Sequence, residues 1–167
     1  SEALPAGGRL LDLMSSWRSH LPEGFYAREV VGLGLNAQEM ADNPQLTSSI
    51  VHDVNRDPRL PFGNEEFDGA MCAVSIQYVT HPLLVFRELR RVLRPRAPFV
   101  VSFSSRCFPP KAVAVWLSTT DQQHLMLVRA YFEAAGGWMD VKEEDRSPSG
   151  NDDPLYAVWA LTASGDT

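Results

Sequence analysis

Only two cysteines, Cys72 and Cys107, occur in 167 residues, too few for the disulfide framework of a small secreted scaffold. They fall in or beside apolar runs and read as buried free thiols. No apolar run approaches the ~20 residues that span a bilayer. The opening octet, SEALPAGG, has neither the basic nor the apolar segment of a secretory signal, so the expectation is a cytoplasmic protein that does not engage the membrane. Positive charge is also scarce: 15 Lys and Arg stand against 21 Asp and Glu, a formal net charge of −6. That balance disfavours nucleic acid, whose phosphates bind to concentrated positive charge.

Catalytic signatures are missing too. There is no G-x-S-x-G elbow, which argues against a serine hydrolase. Neither G-x-x-x-x-G-K-[ST] nor G-x-G-x-x-G follows the first apolar run, leaving no phosphate cradle for nucleotide hydrolysis or NAD. The four histidines, His20, His52, His81 and His124, are scattered without ligand spacing, so no metal is expected. If residue 52 lies on a strand, His52 and Asp53 face opposite sides of the sheet.

What is present is an alternation of short apolar runs and helical patterns. The clearest stretch is 67–104. An apolar run at 69–75 is followed by Val85, Leu89 and Val92 at i, i+4, i+7, with Phe86 and Leu93 widening the stripe. A Val- and Phe-rich run at 99–103 closes it. Pro82 suits a first helical turn, and Pro95 lies just past the last periodic residue. Strand, helix, strand with short apolar strands is a parallel crossover buried on both faces.

Around this unit, 9–14 (RLLDLM), 29–35 (EVVGLGL) and 48–54 (SSIVHDV) read as strands. Asn36 is placed to cap a helix over 37–42, and 55–66 reads as a loop. A helix resumes at 111–117. Thr120 and Gln123 form a capping-box pattern before another helix, with Leu125, Val128 and Phe132 on one face and Gly136 and Gly137 at its end. Residues 138–142 and Leu155–Thr162 complete the strands with no helix between them, so they pair as an antiparallel hairpin. The expected fold is α/β. It is one domain over 1–167, with a Rossmann-like, seven-stranded, mostly parallel sheet, helices on both faces and an antiparallel C-terminal hairpin strand.

Such sheets bind ligands beyond the carboxyl ends of their strands. The candidate positions are Asp12, Met14 and Ser15; Gly34, Leu35 and Asn36; Asp53 and Val54; and Ala73 and Val74. Asp12, Asn36 and Asp53 put three acceptor-bearing residues at these strand ends. Equally, Asp12 and Asp53 are the kind of residue that caps a turn.

The elements LPF at 60–62, FD at 67–68 and FRELRRVLRP at 86–95, with the apolar strand after them, together resemble class I S-adenosylmethionine-dependent methyltransferases of the type-11, small-molecule kind. The resemblance implies S-adenosylmethionine as cofactor and a small-molecule acceptor. It implies that Asp53 binds the adenine amino group. It also implies a glycine-rich first loop and an acidic ribose-binding residue at the end of the second strand. This chain departs from both, with Met14, Ser16 and Arg18 where the glycines belong and Gly34 where the acid belongs. A bulky Met14 is expected to crowd the ligand, or else the loop is remodelled and Asn36 or Gln38 takes the ribose. His81 and Tyr78, after the fourth strand, are the candidates for a catalytic base near the acceptor. Arg87, Arg90, Arg91, Arg94 and Arg96 read as a solvated face complementing the helix dipole. Two functional readings follow: a small-molecule methyltransferase, or a degenerate member that keeps the fold, has lost the cofactor and acts as a binding module.

Overall fold

The computed structural model describes residues 4–5, 7–15, 27–73, 79–104, 121–145 and 155–163. Its elements are β1 (Arg9–Leu13), β2 (Glu29–Gly34), α1 (Ala37–Ala41), β3 (Ser48–Val51), β4 (Gly69–Ala73), α2 (Pro82–Val92), β5 (Pro98–Ser104), α3 (Asp121–Ala135), β6 (Trp138–Asp145) and β7 (Leu155–Thr162). One sheet runs in the order β3-β2-β1-β4-β5-β7-β6. The first five strands are parallel; β7 is antiparallel to both β5 and β6. This is the expected Rossmann-like sheet, with the last strand inserted between the fifth and sixth.

The central crossover shows why the sequence folds this way. Val85, Phe86, Leu89 and Val92, the apolar stripe of α2, are all fully buried. They meet one face of β5, where Phe99, Val101 and Phe103 are equally inaccessible. Phe86 packs edge-on against Phe99 at 5.2 Å and against Phe132 of α3 at 4.8 Å between ring centroids, a favoured quadrupole arrangement. Pro82 opens the helix and Leu93 leaves it in an extended conformation. At the end of α3, Gly136 takes φ 76° and its N–H donates to the Phe132 carbonyl at 3.3 Å, the left-handed helix stop that glycine permits.

Two strand ends move by three residues from the sequence reading, and one surface reading changes. β3 ends at Val51, not 54, because the Asp53 carbonyl accepts from the N–H groups of Arg56 and Asp57 and turns the chain. His52 is therefore off the strand, with Nε2 at 2.8 Å from the Asp57 carbonyl. β6 continues past Lys142 to Asp145, since β7 offers partners along that length; Asp140 at φ 54° absorbs a register shift. The arginines are not a simple solvated face. Arg90 donates to the Gly136 carbonyl, Arg94 pairs with Asp68, and Arg91 binds the 60–64 turn. The helix expected at 111–117, Cys107 and the capping residue Thr120 lie outside the described residues.

Candidate active site

The strand order brings the carboxyl ends of β3, β2, β1 and β4 side by side, and with them most of the residues singled out in the sequence. Asp12 lies in β1, opposite Gly32 of β2 and Met71 of β4. Its side chain is only 2% exposed and accepts a 2.8 Å hydrogen bond from Ser15 Oγ. After β1 the chain turns sharply. Met14 takes φ 57°, a left-handed conformation that costs an L-residue roughly 1–2 kcal/mol and glycine nothing. The first loop thus adopts a turn of the kind glycine favours, with a methionine in it. Met14 packs its side chain against the core that includes Leu13, Val54 and Leu60.

Ser15 then crosses the end of β2. Its N–H donates to the Leu33 carbonyl at 2.8 Å. A Cβ built on Gly34 would run into the Ser15 carbonyl oxygen and would lie 3.1 Å from Met40 Sδ. Gly34 is not among the positive-φ glycines; close approach of two backbones is what requires it. Asn36 caps α1 as expected, its side-chain oxygen accepting from Glu39 N at 3.0 Å. Gln38 donates to Asp42. Both residues offered for the ribose thus have local partners. Leu35 stands between these groups, 64% exposed.

Asp53 sits just beyond β3 and accepts the Asn55 N–H at 2.9 Å through Oδ1, an Asx turn. Val54 next to it is buried. Asn55 was not picked out from the sequence, although the D-x-N spacing of an Asx turn was its only signal. Its side-chain oxygen accepts from Thr80 N at 2.9 Å, tying the loop after β3 to the chain that enters α2. Ala73 ends β4; Val74 and Tyr78 lie outside the described residues, as do Ser16, Arg18 and His20. His81 is exposed at the start of α2 and makes no capping hydrogen bond. It lines an open apolar groove of about 470 Å³ with Leu83, Leu84, Leu127 and Tyr131, between α2 and α3. Burial holds the Tyr131 hydroxyl above the usual tyrosine range.

Below the crevice, charge serves the architecture. Partial burial works against the Asp68 carboxylate, but the Arg9 N–H and the Arg94 guanidinium outweigh it and hold its carboxyl below the usual range. Among the described residues no group of three or more His, Cys, Asp or Glu could hold a metal. No helix among them is long and apolar enough to cross a membrane.

Known proteins share this fold. A Trm112-bound methyltransferase described as putative, from Haloferax volcanii, superposes with TM-score 0.71 at 15% identity, over 96% of this chain and 84% of that one. A SAM-dependent methyltransferase from Aquifex aeolicus superposes with TM-score 0.66 at 17% identity, over 96% and 85%. In sequence, the biotin biosynthesis bifunctional protein BioHC of Teredinibacter turnerae is 31% identical over 83 residues, 48% of this chain. The match spans only 15% of that longer protein. The methyltransferase-domain family model, type 11, matches residues 18–101, starting after the turn at Met14 and Ser15. With half of its length matched and the sheet order of that fold, this chain belongs to the class I S-adenosylmethionine-dependent methyltransferase family of the type-11 kind.

Proposed function

We propose that this chain is an S-adenosylmethionine-dependent methyltransferase acting on a small-molecule acceptor. The observation that carries the reading is a pair of carboxylates, Asp12 and Asp53, at the carboxyl ends of the strands on either side of β2. A crevice with acids at both sides and no phosphate cradle suits a cationic nucleoside and not an anionic dinucleotide.

The residues present fit the cofactor at its two ends. Asp12 is the acid that would counter the sulfonium, and the left-handed turn at Met14 would let backbone approach the amino-acid end. Asp53 would accept from the adenine amino group, with Leu35 and Val54 as apolar surface against the ring. When bound, S-adenosylmethionine supplies a methyl group on a positively charged sulfur, already a strong donor. The protein's task is therefore orientation and proximity. His81, exposed and uncapped at the start of α2, is the described group that would take a proton from an acceptor.

A second reading, that the fold is kept and the cofactor lost, is favoured by one observation: Ser15 fills the place of the missing acid at Gly34. Titration calorimetry with S-adenosylmethionine and S-adenosylhomocysteine decides between them. Micromolar binding of both supports the methyltransferase; no heat up to millimolar ligand overturns it and leaves the second reading.

A further inference from the structure

We infer that the crevice takes its adenosyl ligand without reading the ribose hydroxyls, because Ser15 backbone occupies the position from which a carboxylate would grip them. The inference rests on the cofactor reading proposed above and narrows it.

In doubly wound sheets an acid at the end of the second strand accepts hydrogen bonds from ribose hydroxyls. Here that strand ends in Gly34, flanked by β1 and β3. The departure goes deeper than a missing side chain. The first atom of any side chain at position 34 would clash with the Ser15 carbonyl oxygen and would meet the Ser15 carbonyl carbon at 3.2 Å. Nor is Ser15 free to step aside. It is 5% exposed, its N–H is held by Leu33 and its Oγ by the buried Asp12 carboxylate, both at 2.8 Å. The polar side chains that follow are engaged locally, Asn36 on the Glu39 N–H and Gln38 on Asp42. Among the described residues, recognition is left to the two ends of the ligand.

A hydroxyl donating to a carboxylate typically contributes roughly ten- to a hundredfold in affinity. A site without that contact loses nothing when the hydroxyl is removed. The pocket should accept 2′-deoxy and 3′-deoxy adenosyl ligands as readily as the ribo form.

The experiment is calorimetry on the unmodified chain with S-adenosylhomocysteine and its 2′-deoxy and 3′-deoxy counterparts. A methyltransferase that carries the strand-end acid serves as comparator. The expected result is three affinities within about threefold of one another for this chain, against at least a tenfold loss in the comparator. A tenfold or greater loss for either deoxy ligand overturns the inference while leaving the cofactor reading intact. Absence of binding by S-adenosylhomocysteine itself overturns the cofactor reading, and the inference falls with it.

Discussion

Glu88 and Arg91, one turn apart on α2, hold the same short piece of chain from two sides. Glu88 Oε1 accepts the Leu60 N–H at 2.9 Å, while Arg91 donates to the carbonyls of Leu60 at 3.0 Å and Phe62 at 2.8 Å. The two side chains also pair with each other at 2.8 Å. An ion pair on a helix surface is worth little by itself; this one matters because it satisfies backbone groups of the turn that closes over the core.

Arg91→Ala should therefore cost about 2–3 kcal/mol, the order of charge-assisted hydrogen bonds lost to half-buried carbonyls. Arg91→Lys should recover less than half, since an ammonium cannot fork to two carbonyls. Urea unfolding followed by circular dichroism reads both. An Arg91→Ala midpoint equal to the parent's would show that the turn needs no staple.

The same pair gives acid sensitivity a sign. The Arg91 hydrogen bond, opposed by burial and helped by the Leu60 N–H, holds the Glu88 carboxyl below the usual glutamate range. A carboxyl depressed in the folded state stabilises fully above its unfolded pKa, about 4.3, and that contribution fades as pH falls through the folded value. Unfolding free energy measured from pH 7 down to pH 3 should drop below about pH 4.5. Glu88→Gln should be less stable at pH 7 and flatter on the acid limb. Some slope should persist in the variant, because Asp68 is shifted in the same direction.

Met14→Gly tests whether the first loop is already in its ligand-ready conformation. Left-handed strain is relieved by roughly 1 kcal/mol, and core contact of a partly buried methionine is lost at a similar magnitude. The two should nearly cancel, leaving thermal stability within about 1 kcal/mol of the parent. Affinity for S-adenosylhomocysteine should stay within about threefold, because the methionine side chain is packed in the core. A gain of tenfold or more would place that side chain in the ligand's path after all.

Gly34 behaves differently. Gly34→Ala forces its methyl against the Ser15 carbonyl, a backbone atom that cannot swing away. We expect a loss of about 1–3 kcal/mol, the usual cost of overpacking, and Gly34→Asp should lose at least as much without gaining affinity. Restoring the family acid thus fails for steric reasons. A folded Gly34→Asp protein with tighter S-adenosylhomocysteine binding would show that Ser15 can yield.

The contrast between Met14 and Gly34 shows what the chain's sequence makes legible. Both are visible as departures from a family pattern, but only the structure shows that one takes a left-handed turn while the other records a contact with Ser15. Periodicity was enough for the fold: the α2 stripe, the β5 run and the final hairpin lie where apolar spacing puts them. It was not enough where single hydrogen bonds decide. Nothing local marks Arg91 as a staple among its neighbouring arginines, because its partners, Leu60 and Phe62, lie roughly thirty residues away. β3 stops at Val51 because Asp53 turns the chain, and apolar pattern does not register a turn of that kind.

Asp53 carries the last prediction because it has two tasks that can be separated. Its Oδ1 holds the Asn55 N–H, which an asparagine can also do. Its charge is what an adenine amino group would add to, which an asparagine lacks. Asp53→Asn should keep stability within about 0.5 kcal/mol yet weaken S-adenosylhomocysteine by roughly tenfold or more, the loss of a charge-assisted acceptor. Asp53→Ala should show the same weakening together with a stability loss of about 1 kcal/mol from the undone turn. Equal affinity for parent and Asp53→Asn, with only Asp53→Ala impaired, would assign Asp53 to the turn alone and remove it from the ligand's contacts.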